Sequence, residues 1–148
     1  MNSEEELRRK ILKQLLIDCR KSFRQMAASL KVSAATIARK VKEMEERGLI
    51  KGYSAILDHE KLGYDLGAVI EVTVSAGKLL EVEREIAKHP NVLAVYDVTG
   101  ISDAIIIAKF RNRKELNDLV KKILKMQFVE RTNTHVILNI VKEDFRLL

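Results

Sequence analysis

The residues of this chain that can do chemistry are its cations. Its 148 residues carry 27 Lys or Arg against 21 Asp or Glu, a formal charge of +6. Up to Leu57 there are 13 cations and 7 acids, and from Asp58 onward 14 of each, so the whole excess lies in the first part. Segregated positive charge is the footprint of a polyanion partner, and it points to the first part as the place where nucleic acid would bind. Other chemistries have little to work with. The single Cys19 allows no intramolecular disulfide and no multi-cysteine metal site, and its place near a helix end predicts a packed rather than a reactive thiol. His59, His89 and His135 are scattered without ligand-like spacing. No nucleophile elbow, Walker loop or metal-ligand cluster is present, so no enzymatic activity, cofactor or metal is expected. Hydrophobic residues make up 47% and charged residues 32%, the balance of a soluble globular protein. No run approaches the roughly 18 apolar residues of a membrane span. Glu4, Glu5 and Glu6 stand where a signal peptide would be positive, and the expected location is cytoplasmic.

The cations have to be placed by helices. Leu7, Ile11 and Leu15, with Leu12 and Leu16 beside them, recur at helical spacing, and Ser3 with Glu6 reads as a capping box that starts a first helix. Ser22 with Gln25 is a second capping box, followed by the apolar stripe Met26, Ala27 and Leu30. Ser33 is the expected N-cap of a third helix, in which Ile37, Val41 and Met44 fall at i, i+4 and i+7 and Gly48 supplies the left-handed end. The short link Lys31-Val32-Ser33 predicts a helix-turn-helix. With Ile37, Val41 and Met44 buried, Ala35, Thr36, Arg39, Lys40 and Lys42 are expected outward, near the end of the helix that meets base edges in a major groove. Ser33, Ala35, Thr36 and Arg39 would then read the groove. Lys40, Lys42, Arg24 and Lys51 would lie nearer the phosphates, with Ser22 and Gln25 at the start of the preceding helix. A solvated basic face is the competing reading.

After Gly48 the residues Leu49 to Leu57 are rich in β-formers and predict a strand, followed by a turn from Asp58 to Gly63. Leu66, Ala68, Ile70, Val72 and Val74 then keep strict alternation, while Leu79, Val82 and Ile86 switch to helical spacing before Pro90. Val92 to Val98 and Ala104 to Phe110 read as strands, Asn112 with Glu115 caps a further helix, and Val129 to Val141 reads as a long last strand. The order βαββαβ predicts a ferredoxin-like domain. The fold class is thus α+β. A winged helix-turn-helix domain (residues 1–50) is joined by a strand and turn (51–64) to a ferredoxin-like domain (65–148).

The run Asp18, Arg20, Ser22, Met26-Ala27, Leu30, Val32-Ser33, Ile37, Val41, Met44-Glu45 and Arg47-Gly48-Leu49-Ile50-Lys51-Gly52-Tyr53 resembles the N-terminal domain of the Lrp/AsnC (feast/famine) family of transcriptional regulators. Two positions depart from the family pattern. Lys31 stands where a Gly is usual, at a cost of about 1 kcal/mol if the backbone there is left-handed. Lys40 replaces an Arg, and Lys cannot make the planar bidentate contact that Arg makes to guanine. The second domain has the family's element order, and Arg131-Thr132-Asn133-Thr134 matches its last strand. Its loop, often Gly-Asp-Tyr-Asp, is here Gly100-Ile101-Ser102-Asp103.

The resemblance implies a sequence-specific regulator of transcription that binds a roughly palindromic duplex DNA. It also implies a homodimer formed through the sheet domains, larger even-numbered assemblies such as an octamer, and an amino-acid effector between those domains. Asp103 would accept from the effector's ammonium group. Thr132, Thr134 and the backbone around Gly100 would donate to its carboxylate, with Ile101 and Ser102 setting selectivity. The same residues also fit purely structural roles, Gly100 and Asp103 in a turn and the threonines as β-formers. Two other functions stand beside the regulator: a low-specificity architectural DNA-binding protein, and a sirohaem decarboxylase-type enzyme, because some proteins built like this family are such enzymes.

Overall fold

A computed structural model describes residues 3–148. The described residues form two compact units, one made of residues 3–56 and 142–148, the other of residues 57–141. Among the described residues no helix is long and apolar enough to cross a membrane.

The first unit holds three helices, α1 (Ser3–Ile17), α2 (Phe23–Leu30) and α3 (Ala34–Glu46). Ile11, Met26, Ala27, Ile37, Val41 and Met44 are buried together, with Leu7, Leu12, Leu15, Leu30, Val32 and Ile50 packed around them. The helical residues among them share the inward faces that the 3.6-residue period predicts. The caps of α2 and α3 form as the sequence predicts, with the Gln25 N–H donating to Ser22 Oγ at 3.2 Å and the Thr36 N–H to Ser33 Oγ at 3.0 Å. The box at the head of α1 does not. Ser3 is already helical, and Glu6 pairs with Lys10 at 2.7 Å one turn later. Lys31 takes the left-handed conformation (φ 56°, ψ 43°) that ends α2, so the departure from Gly at this turn is a strained one. Gly48 (φ 68°) ends α3, its turn closed by the Leu49 N–H donating to Met44 O at 2.9 Å.

The strand expected at Leu49 to Leu57 is absent. Residues 51–57 have no regular structure, and their backbone makes no backbone hydrogen bond to any described residue. A strand needs a neighbour to satisfy its N–H and C=O groups, and this unit contains none.

The second unit is a four-stranded antiparallel sheet in the order β2-β3-β1-β4, built from β1 (Leu66–Val74), β2 (Val92–Asp97), β3 (Ala104–Phe110) and β4 (Val129–Val136). Helices α4 (Leu79–Ile86) and α5 (Arg113–Leu124) cover one face. Ala68, Ile70 and Val72 of β1 sit opposite Ala108, Ile106 and Ala104 of β3, and all six are fully buried beneath Val82, Ile86, Leu116, Leu119 and Ile123. The other face carries Val69, Glu71, Ile105, Ile107 and Tyr96, by the same alternation. The last strand stops at Val136 instead of running to Val141. Its partner β1 begins at Leu66, and after one more bond, Ile137 N–H to Gly67 O at 2.9 Å, nothing is left to pair with.

Candidate nucleic-acid interface and effector cleft

Helix α3 presents the exposed residues Ala35, Arg39 and Lys42 on the side opposite Ile37, Val41 and Met44. Ser33 and the half-buried Thr36 hold its first turn, their hydroxyls 2.8 Å apart. Arg39 Nη1 rests 2.7 Å from Glu43 Oε1, and Lys42 lies 3.7 Å from Glu46. Such exposed i,i+4 pairs contribute only about 0.3–0.5 kcal/mol, so either cation can leave its partner for a phosphate or a base. Arg24 and Lys51 are exposed, and so are Ser22 and Gln25, which are occupied by their reciprocal cap.

Lys40 is the exception. It is not outward but 3% exposed, ion-paired through Nζ with Glu4 of α1 and, at 3.1 Å, with Glu43. Its position explains this, because Lys40 stands three residues after Ile37 and four before Met44, on the edge of the buried stripe. The Lys40 ammonium holds the Glu4 carboxyl below its ordinary value, and with Arg39 it does the same to Glu43. Lys40 therefore ties α1 to α3 and leaves the expected set of DNA contacts.

Cys19 is also displaced from expectation: the thiol is exposed, not packed. It borders an apolar cleft of about 690 Å³ lined by Leu12, Leu15, Ile17, Leu49, Tyr53 and Ile56 among others. Tyr53 donates to Glu45 at 2.8 Å, and partial burial together with that carboxylate pushes its hydroxyl up to about 12.

The second unit has a more polar cleft, of about 610 Å³, where the β2–β3 loop meets β4. Of the residues expected for an effector, Ile101, Ser102 and Thr132 line it, while Gly100, Asp103 and Thr134 do not. Asp103 has a backbone task, its Oδ2 accepting from the Val74 N–H at 2.8 Å. The pairing of β1 with β4 slips at Thr73/Val74, and Asp103 takes up an N–H at that irregularity. Thr134 lies opposite Ile70 in the register, on the helix-covered face. Gly100 (φ 129°) supplies the loop conformation that a side chain would resist.

Two charged residues that sequence reasoning passed over complete the cleft: Glu71 from β1 and Arg131 from β4. Asn133 donates to Glu71 Oε2 at 3.1 Å and, with His135 at 3.6 Å behind it, holds this carboxyl below its ordinary value. A signal for Glu71 was available, since it is the one acid inside Leu66–Val74 and has the parity of the uncovered face. Arg131 carried a signal only as the first residue of the run Arg131-Thr132-Asn133-Thr134 that resembles the family's last strand, and the strand register brings it beside the loop. Among the described residues no cluster of three His, Cys, Asp or Glu is placed to hold a metal ion.

Comparison with known proteins agrees in both units. Residues 4–51 match the winged helix-turn-helix DNA-binding model, and residues 67–147 match the Lrp/AsnC ligand binding domain. An HTH-type transcriptional regulator of Pyrococcus horikoshii is 50% identical over 141 residues, 95% of either chain. The HTH-type transcriptional regulator FL11 of the same organism is 35% identical over 143 residues, 97% of this chain and 95% of that one. Among solved structures, AsnC of Escherichia coli superposes with a TM-score of 0.88 at 26% identity, covering 96% of this chain and 97% of that one. A transcriptional regulator of Neisseria meningitidis, solved as its L-Met complex, superposes with a TM-score of 0.89 at 22% identity over 100% and 96% of the two chains. The second helix-turn-helix helix set on a packed three-helix core, the β2-β3-β1-β4 sheet and these likenesses together place the chain in the Lrp/AsnC family of DNA-binding transcriptional regulators.

Proposed function

We propose that the chain recognises a roughly palindromic operator through Ala35, Thr36 and Arg39, with Arg24, Lys42 and Lys51 on the phosphates, and that an amino acid bound in the second unit modulates this. The observation that carries the DNA reading is α3 itself, whose first turn is capped and whose exposed side carries Ala35, Arg39 and Lys42 beside small, close-approaching side chains. The effector reading rests on the pairing of opposite charges in one cleft. Glu71 accepts from an ammonium group, while Arg131 and the hydroxyls of Thr99 and Ser102 donate to a carboxylate. Gly100 and Asp103 shape the loop rather than touch the ligand.

The assembly is a homodimer or a larger even-numbered oligomer formed through the sheet face that bears Ile105, Ile107 and the exposed Tyr96, which no helix covers. A two-fold pair of recognition helices about one DNA turn, roughly 34 Å, apart makes the operator palindromic. A protein with this task works in the cytoplasm beside its DNA.

Fluorescence anisotropy on the duplex upstream of the chain's own gene and on a scrambled duplex, at fixed salt, tests both parts. A preference of about 10³ or more for the native duplex is expected. It should change on adding an amino-acid mixture, and Glu71→Gln should abolish that change without altering affinity in its absence. Equal binding to both duplexes would refute sequence recognition. A response that survives in Glu71→Gln would refute the cleft.

A further inference from the structure

The second unit is neutral in sum but not in distribution. From Leu57 to Val141 there are 12 cations and 12 acids, yet Arg111 to Lys125 alone holds 6 cations and 2 acids. That stretch is α5 and its flanks, so the rest of the unit carries the matching negative charge. The helix sorts its residues sharply. Leu116, Leu119 and Ile123 are buried against the sheet, and Lys114, Lys121 and Lys125, at i, i+7 and i+11, form a single row on the opposite side. All three are exposed, Lys114 with 85% of its side chain in solvent.

The neighbouring helix handles its charge differently. On either side of α4 the lysines are paired, Lys78 with Glu81 and Lys88, just past the cap Ala87, with Glu85, and the one cation within the helix, Arg84, forms no ion pair among the described residues. Of the lysines on and just after α5 only Lys114 forms an ion pair, with Asp118 at 2.8 Å; Lys121 acts on the same Asp118 from further away, and among the described residues neither Lys121 nor Lys125 forms an ion pair. The helix dipole favours cations in a last turn, which accounts for Lys121 and Lys122 but not for a row that continues back to Lys114. The row also lies on the helix layer, away from the sheet face assigned to assembly, and stays in solvent when that face is covered.

We infer that the Lys114-Lys121-Lys125 row is a second, sequence-independent contact for the phosphate backbone of duplex DNA flanking the operator. The inference rests on the DNA-binding function of the family and adds a surface to it. Eleven residues of helix span about 16 Å, which along one strand of B-DNA covers about five phosphates. Lysine fits that task because a flexible point charge needs no fixed bidentate geometry. A protein partner fits less well, because protein interfaces are depleted in Lys and built around aromatic or apolar anchors, and the exposed apolar residue here is Leu124 alone.

The test compares the full chain with its Lys114→Gln/Lys121→Gln/Lys125→Gln variant on two duplexes, one of about 20 base pairs spanning two half-sites and one of about 60. A second variant, Lys61→Gln/Lys78→Gln/Lys88→Gln, removes the same charge from lysines paired elsewhere in the unit. On the long duplex the first variant should flatten the slope of log K against log salt by about 2 to 3, since each phosphate no longer neutralised takes about 0.9 from it. On the short duplex it should match the parent chain. An unchanged slope on the long duplex would overturn the inference and leave an acidic protein as the partner to seek. An equal flattening by the second variant would overturn it too, by showing a net-charge effect. A parent chain that binds neither duplex would overturn the DNA reading itself, and the row with it.

Discussion

The two units place function on opposite kinds of structure. In the first, the side chains proposed to read bases all come from one face of α3, a run of 13 consecutive residues. In the second, the cleft draws on β1, β4 and the loop between β2 and β3, residues up to 62 apart in the chain. Their cores differ as well: six buried hydrophobic side chains hold the helices together, and thirteen hold the sheet to its helices. A helical face can thus be assembled by local rules on a small core, whereas a cleft built across strands needs a large core to fix the register.

The sharpest way to break the comparison is to hollow each core in turn. Ile37→Ala and Ile123→Ala each remove a side chain with no exposure, and each should cost about 2–5 kcal/mol. Calorimetry of Ile37→Ala should show the helical unit's transition lowered while the sheet unit's is kept, and Ile123→Ala should lower the sheet unit's transition while the helical unit's is kept. A single transition moved equally by both would show that the units do not unfold separately.

Next in size is Arg39→Ala. Removing a hydrogen bond to a base edge should cost about 1–3 kcal/mol on the native duplex and much less on a scrambled one, read as the ratio of the two affinities. Equal weakening on both would move Arg39 from base reading to phosphate holding.

The distinction between local and assembled sites also decides what was legible in the sequence. The elements with an internal pattern were plain: α2 and α3 with their caps, β1 and β3 to the residue, Gly48 at its turn. Lys40 was misplaced because its charge was weighed above its position between Ile37 and Met44, and burial paired it instead of expelling it. The meeting of Glu71 with Arg131 in one cleft is not legible because no local spacing joins them. The strand expected at Leu49 to Leu57 rests on β-forming side chains, but a strand is a relation between two segments, and composition describes only one.

Lys31→Gly makes a finer probe of the local rules. It removes a Cβ from a left-handed position, a relief of about 1 kcal/mol offset in part by the greater freedom of Gly in the unfolded chain. The expected result is a rise in midpoint denaturant concentration at unchanged slope. A fall would mean that the Lys31 side chain contributes more than its backbone costs.

The smallest effect concerns pH. Glu4 and Glu43 both have carboxyls held below the ordinary 4.5 by Lys40. A depressed folded value contributes stability that is present above the unfolded value and is lost as pH falls through the folded one. Acid titration of the helical unit should therefore show a decline beginning near 4.5 that Lys40→Met flattens, followed by circular dichroism. A parallel curve for the two chains would remove Lys40 from the acid response.

The unpaired backbone of residues 51–57 gives the molecule a built-in clock. Amides with no partner exchange their hydrogens with solvent at nearly the rate of an unfolded chain, while those of β1 and β3 wait for the sheet to open. Seven consecutive residues that start fast can only slow down. Deuterium uptake along this stretch would time the arrival of any neighbour that lends it a hydrogen-bonding edge, at the level of the single peptide group.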